Sequence, residues 1–246
     1  MEEVERLCEV FFSGVSGEGK GTVHSTLADL ASPQTTEQAR AVLDLFARVI
    51  RVSSHQYALF YACSSAATLL RKYWSRIDHS NVERLWVELL ELSRKIAAHK
   101  LFPHATVVQI FQLIATITKL IWEESWVVSS ELVPRVANFL EIPDEHAAVM
   151  AMELLKLCVI QVQPDSGVYS CSQRRTCISF RNTALGSIVQ FVLERLTLWK
   201  SSGANLAVRA ALSLLQNCFE FDYGGSGSNT IEASLSAVCT ASFVSL

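Results

Sequence analysis

The sequence is poor in the features that mark β-rich proteins and nucleic-acid-binding proteins. Ten glycines and five prolines among 246 residues are few for an all-β protein. The 21 Lys and Arg residues are outnumbered by 24 Asp and Glu residues, which leaves a formal net charge of −3. Because no overall positive field attracts a polyanion, we expect no nucleic-acid partner.

An uninterrupted apolar run long enough to cross a bilayer is also missing. The longest apolar stretch, Ala105 to Trp122, is broken by Gln109, Gln112 and Lys119. This pattern predicts a buried helix rather than a membrane span. The N-terminal sequence MEEVERLCEV is acidic and amphipathic, unlike a secretory signal or a basic transit peptide. We therefore expect no membrane insertion.

Patterns typical of catalytic and metal sites are absent as well. His99 and His104 are separated by a turn containing Pro103, so they do not share a helix face as zinc ligands of a metalloprotease must. Glu145 and His146 lack a second histidine at the required spacing. No phosphate-binding loop and no Gly-x-Ser-x-Gly nucleophile elbow occurs. We expect no catalytic residue, no metal site and no cofactor, and hence no enzyme.

The seven cysteines do not fall into metal-ligand or redox spacings. Cys171 and Cys177 are expected in a loop, as reduced thiols of a nuclear or cytosolic protein. Four others lie among apolar residues of predicted helices and are expected to be small buried hydrophobes, namely Cys8, Cys63, Cys158 and Cys218.

Amphipathic helical stretches come in pairs that recur along the chain. Pairs begin near Glu2, Thr36, Ser80, Ser129 and Thr183, at offsets of 34, 44, 49 and 54 residues. These offsets bracket the roughly 40 to 47 residues of HEAT and armadillo units. The pattern predicts an all-α fold, a HEAT/armadillo-like superhelical solenoid of antiparallel helix pairs, with its right or left hand undetermined.

Each predicted helix carries one apolar stripe at three- and four-residue spacing, which it must bury against a neighbour. The stripes of the second and third pairs are the clearest. In the second pair they are Ala39, Val42, Leu43, Phe46, Val49 and Ile50, then Tyr57, Phe60, Ala66, Leu69, Leu70 and Tyr73. In the third pair they are Val82, Leu85, Trp86, Leu89 and Ile96, then Val107, Phe111, Ile114, Ile117 and Ile121. Short links such as Arg51 to Ser54 favour antiparallel neighbours.

Three capping boxes are expected at helix entrances: Thr35 with Gln38, Ser53 with Gln56, and Ser80 with Glu83.

The later part of the chain is less regular. A fourth pair is predicted over Ser129 to Leu140 and Asp144 to Val162, and a fifth over Thr183 to Trp199 and Ala204 to Phe219. Between them we expect a loop insertion near residues 163–178. Residues 1–223 are accordingly assigned to about five HEAT-like helix pairs, and residues 224–246 to a flexible or incomplete C-terminal segment.

Four local stretches resemble the N-terminal part of one receptor family. They are SHQYALFYACSSAATLL (Ser54 to Leu70), ATITKLIW (Ala115 to Trp122), RRTCISFRNTAL (Arg174 to Leu185) and LLQNCFEFDYGG (Leu214 to Gly225). Their order is similar to that in the exportin-7 and Ran-binding-protein group of the importin-β superfamily of nuclear transport receptors. Because full receptors of this group are several-fold longer, the resemblance implies a fragment or a strongly shortened member.

The resemblance implies binding to the GTP-bound form of the small GTPase Ran, transport of protein cargo, contact with nuclear pore proteins, and shuttling between nucleus and cytoplasm. In the family, the first repeats bind Ran through their inner helices, which are the second helix of each pair. Mapped here, these are roughly Thr22 to Leu30, Gln56 to Trp74 and His104 to Trp122. The polar residues expected to face Ran are Arg71, Lys72, Lys119, Glu123 and Glu124.

Local helical patterns by themselves leave a second interpretation open. The chain can also be a HEAT or armadillo scaffold or adaptor with a protein partner other than Ran, because a fold does not determine a function.

In the third stretch, Ser179 or Asn182 is expected to cap a helix that begins near Thr183 rather than to bind a peptide.

Overall fold

The computed structural model describes residues 2–12, 19–163 and 170–221, and every regular element in these ranges is helical. The chain divides into two compact units, Met1–Ser125 and Trp126–Leu246. The predicted all-α class, with neighbouring helices packed on one another, is confirmed within each unit. Residues 13–18, 164–169 and 222–246, and with them the whole predicted segment 224–246, lie outside the described residues.

The first unit contains three consecutive helix pairs. Its helices are α1 (Glu2–Phe12), α2 (Gly19–Leu30), α3 (Thr36–Val52), α4 (Gln56–Tyr73), α5 (His79–His99) and α6 (His104–Ile121), with a 3₁₀ turn at Trp74–Arg76 after α4. The most extensive packing joins α4 to α6, the second helices of adjacent pairs. From the first pair, α1 rather than α2 is the main neighbour of α4.

The apolar stripes predicted for α5 and α6 are buried as expected. In α3 and α4 the prediction is confirmed in part, because some residues of each predicted stripe are only half-buried, namely Val42, Leu43, Tyr57, Phe60 and Tyr73. The indole of Trp86 on α5 is fully buried, and its Nε1 donates a hydrogen bond of 2.9 Å to Thr118 Oγ1 on α6. By length and composition α6 could cross a membrane, but 61% of it is buried inside the protein. Its apolar character is therefore explained by packing against α4 and α5.

One of the three predicted capping boxes is confirmed. Thr35 and Gln38 cap α3 reciprocally, whereas α4 is capped by the ring of His55 and α5 by the carboxylate of Asp78. The box at Ser53 is wrong because α4 begins later, with His55 as its N-cap, and the Ser53 hydroxyl accepts from the backbone N–H of His55 instead. The box at Ser80 is wrong because the nearby Asp78 carboxylate is a stronger acceptor and accepts from both the hydroxyl and the backbone N–H of Ser80. These hydrogen bonds hold the pKa of Asp78 below its ordinary value.

The second unit begins with α7 (Trp126–Ala137), a 3₁₀ turn (Asn138–Glu141) and α8 (Glu145–Val162). It ends with α9 (Cys171–Phe180), a π-helical turn (Arg181–Leu185), α10 (Gly186–Ser202) and α11 (Asn205–Phe219). The most extensive packing in this unit joins α8 to α11. The fourth predicted pair is confirmed, with α7 beginning three residues earlier than expected at Ser129.

Two predictions for the region before α10 are wrong. The loop expected near residues 163–178 is helical from Cys171 onward, since Ser170 and Gln173 form a capping box that starts α9. No helix begins near Thr183, because α9 continues through the π turn into α10, so Ser179 and Asn182 do not cap a helix end.

The cysteines follow the helices that contain them. Cys171 and Cys177 lie in α9, not in a loop, with the first exposed and the second buried. The four cysteines predicted to be buried, Cys8, Cys63, Cys158 and Cys218, are buried and free.

Candidate interaction surface

The five residues expected to face a partner lie at the C-terminal ends of α4 and α6. Helix α4 buries several small side chains, among them Ala58, Ala62 and Ala66, and packs more extensively against α6 than against any other helix. At the N-terminal ends of the two helices, Thr106 Oγ1 lies 3.5 Å from the carbonyl oxygen of Gln56. The two helices are thus packed along their length, and charged side chains lie at their C-terminal ends.

Arg71 links the two helices. Its guanidinium donates a hydrogen bond of 2.9 Å to Thr116 Oγ1 on α6. Lys119 follows Thr116 by three residues, so it lies on the same face of α6 one turn further along. Both cations sit in the last turn of their helices, where they interact favourably with the exposed carbonyl groups. The structure therefore places Arg71 and the face carrying Lys119 side by side.

Lys72 occupies the exposed side of the same last turn of α4. Its Nζ lies 5.1 Å from the centroid of the Tyr73 ring, within the range of a cation–π interaction. The Tyr73 hydroxyl donates a hydrogen bond of 2.6 Å to the carbonyl oxygen of Pro33. The ring on which Lys72 rests is thereby fixed to the start of the second pair.

Glu123 and Glu124 follow the end of α6 and are both exposed. The Glu124 carboxylate contacts Nδ1 of His79, at the start of α5. The His79 ring stacks on Trp74 at a centroid distance of 4.1 Å, and its Nε2 lies 3.2 Å from the Trp74 carbonyl oxygen. Glu124 therefore already contacts His79 within the unit, whereas the neighbouring Glu123 is exposed to solvent.

Sequence reasoning missed Thr116 and His79, which hold two of the five predicted residues in place. The residues of each pair, Arg71 with Thr116 and His79 with Glu124, are 45 positions apart in the sequence. This separation is close to one repeat length, so a search for polar residues one repeat apart is the signal that would have found them.

The surface is equipped for electrostatic recognition. It presents three cations and two carboxylates on supported helix ends, a mixture that can select a partner by charge complementarity. Across the described ranges, no cluster of three or more His, Cys, Asp or Glu side chains could hold a metal ion.

Comparison with known proteins finds the relatives that the sequence predicts. Ran-binding protein 17 of Homo sapiens is 26% identical over 242 aligned residues, which cover 93% of this chain. Ran-binding protein 17 of Mus musculus is 26% identical over 241 residues, again covering 93% of this chain. No family model matches the chain, and no solved structure matches it.

The chain spans about a fifth of the length of these curated relatives, 21% in each case. The similarity nevertheless extends over nearly the whole of the chain described here. The resemblance to the Ran-binding-protein group, which rested on four local stretches of sequence, is confirmed.

Proposed function

We propose that this chain acts in nuclear transport, as an exportin-type receptor or as part of one, and that it binds Ran in its GTP-bound form. The observation that carries the proposal is the similarity to Ran-binding protein 17 across 93% of the chain. Protein cargo and nuclear pore proteins are the further partners of this function. The protein then shuttles between the nucleus and the cytoplasm.

The Ran contact is assigned to the surface formed by Arg71, Lys72, Lys119, Glu123 and Glu124. Two features support this assignment. The side chains project from α4 and α6, the most extensively packed helices of their unit, so the surface is preorganised. Most of its charge is exposed: Arg71, Lys72, Glu123 and Glu124 are exposed, and Lys119 is half-buried.

Transport by such a receptor rests on linkage between two ligands rather than on catalysis by this chain. If Ran-GTP and cargo favour the same conformation, each raises the affinity of the other by the same factor. Hydrolysis of the nucleotide on Ran then weakens both interactions and releases the cargo.

A binding experiment with immobilised protein tests the proposal. Ran loaded with a non-hydrolysable GTP analogue should be retained, and Ran loaded with GDP should pass through. Retention of neither form, or of both equally, would contradict the proposal and leave the scaffold with another partner as the better interpretation.

The surface is tested by a matched pair of charge reversals. Lys72→Glu should weaken binding of Ran-GTP by about tenfold or more, because it places a carboxylate among residues that face the partner. Lys95→Glu is the control, since Lys95 is also an exposed lysine and lies on the first helix of the next pair. Equal losses in the two variants would show that the contact lies elsewhere.

A further inference from the structure

The continuous helix of α9, the π turn and α10 displays a basic stripe that no part of the proposed function uses. Between Ser170 and Leu193 the sequence contains three arginines, Arg174, Arg175 and Arg181, and neither Asp nor Glu. Arg174 and Arg175 are exposed, and Arg181 is half-exposed. Within the described ranges, none of the three forms an ion pair with an acidic side chain.

An apolar side chain lies in the middle of the stripe. Arg174, Ile178 and Arg181 follow one another at spacings of four and three residues, so they share one helix face. Ile178 is 38% exposed, which makes it one of the exposed large apolar residues of the second unit. The three positions span about 10 Å of helix at about 1.5 Å per residue.

The other side of this helix is firmly anchored. Cys177, Phe180 and Ala184 are buried, and the Phe180 ring lies 6.1 Å from the ring of Phe221 in a stacked arrangement. The stripe is therefore presented by a fixed element, so a partner would not have to order it on binding.

Helix capping does not explain the polar residues of this stretch, and the local contact of Arg181 is the hydrogen bond of 3.1 Å that its Nε donates to Asn182 Oδ1. The stripe belongs to the stretch in which Ser179 or Asn182 was expected to cap a helix, and the structure has no helix end there. A π-helical turn occupies Arg181–Leu185 instead. Such turns are uncommon and frequently occur at functional sites.

We propose that this stripe, defined by Arg174, Arg175, Ile178 and Arg181, binds an acidic segment of a partner protein in which carboxylates flank an apolar side chain. Guanidinium groups pair with carboxylates through two parallel hydrogen bonds, which gives both affinity and orientation. Ile178 supplies the apolar contact between them. The surface lies in the second unit and includes none of the residues assigned to Ran.

A protein segment suits this stripe better than nucleic acid does. Nucleic-acid affinity rises with the number of phosphates neutralised, and three arginines around an isoleucine offer few such contacts.

Fluorescence anisotropy with a synthetic peptide tests the proposal. The probe is a short fluorescein-labelled peptide with a central leucine flanked on both sides by aspartate and glutamate. It should bind the full chain with an affinity that falls as salt rises, whereas the same peptide with lysine in place of the acidic residues should not bind. Equal binding of labelled oligothymidylate would overturn the proposal in favour of a general polyanion site.

Two matched sets of variants locate the contact. Joint substitution of Arg174 and Arg175 by Gln should weaken peptide binding by about tenfold or more, and Gln preserves helix propensity. The control substitutes Arg195 and Arg209, two exposed arginines of the same unit, by Gln. A loss of equal size in both sets would contradict the proposal.

The apolar contact is tested separately. Ile178→Ser should weaken binding, whereas Ile160→Ser should not, although Ile160 is 41% exposed on α8. Circular dichroism shows whether the arginine variant folds. If it does not fold, the unmodified chain still tests the proposal, because it should bind a peptide with serine in place of the central leucine less tightly than the original peptide. Unchanged affinity for the serine peptide would refute the role of Ile178. None of these measurements involves Ran, so their failure is distinguishable from failure of the proposed transport function.

Discussion

Glu145 joins two helices that are far apart in sequence, and its substitution should destabilise the second unit. The side chain belongs to the first turn of α8, and its Oε1 accepts hydrogen bonds from the backbone N–H groups of Leu206, at 2.6 Å, and Ala207, at 3.1 Å. These N–H groups begin α11, where a helix has no internal acceptors. No α11 side chain caps this end, so Glu145 supplies the cap from 61 residues away.

The size of the effect follows from the contact. Loss of a helix cap costs about 0.5–2 kcal/mol, and a hydrogen bond to a charged acceptor contributes about 1.5–3 kcal/mol. Because Glu145 is half-buried, solvent screens part of this interaction. We expect Glu145→Ala to lower the free energy of unfolding by about 1–2 kcal/mol, and Glu145→Gln by about half as much, since the amide oxygen still accepts.

Urea denaturation followed by circular dichroism measures the loss, which should appear as a lower midpoint with an unchanged slope. Hydrogen exchange should be faster at the Leu206 and Ala207 amides in particular. Glu194→Gln is the control, since Glu194 is exposed on α10 and accepts a hydrogen bond from Gln190, one turn away on the same helix. If Glu145→Ala is as stable as the control variant and the two amides remain protected, the capping role is refuted.

Two further predictions concern the first unit and the thiols. Thr118→Val should lower the free energy of unfolding by about 1–3 kcal/mol in urea denaturation, because it leaves the buried Nε1 of Trp86 without its acceptor, and a variant as stable as the wild type would contradict this. N-ethylmaleimide at neutral pH should alkylate the exposed Cys171 but not Cys63, since burial raises the pKa of the Cys63 thiol to about 12. Mass spectrometry of the labelled peptides checks the second prediction, and equally fast labelling of both thiols would refute it.

Helices whose apolar residues recur at three- and four-residue spacing could be predicted from the sequence. Helices α3, α5 and α6 each carry a regular apolar stripe, and burial of that stripe places one face of each helix without reference to distant residues. The Thr35 capping box is equally local.

The start of α9 was not predictable in this way. Its first residues, Cys171 to Arg175, are all exposed, so they show no apolar stripe. The helix begins there because Ser170 and Gln173 cap it, and it is held further along by Phe180 and by the π turn. The sequence alone predicts a loop here, because the polar first turn of this helix lacks the apolar residues by which a helix is recognised.

The candidate surface was predictable only as a set of charges. Arg71, Lys72 and Lys119 are recognisable as cations in last turns of helices. Their partners are not, because the contacts of Arg71 with Thr116 and of Glu124 with His79 depend on how adjacent pairs pack. The roles of Thr116 and His79 therefore became visible only once α4, α5 and α6 were placed together.

The most direct test of the proposed function is the ratio of the dissociation constants for Ran-GTP and Ran-GDP, measured by titration calorimetry with the full chain. The proposal predicts tighter binding of the GTP-bound form by about tenfold or more, a difference of about 1.4 kcal/mol or more in binding free energy. A ratio near one, or no binding of either form, would contradict it.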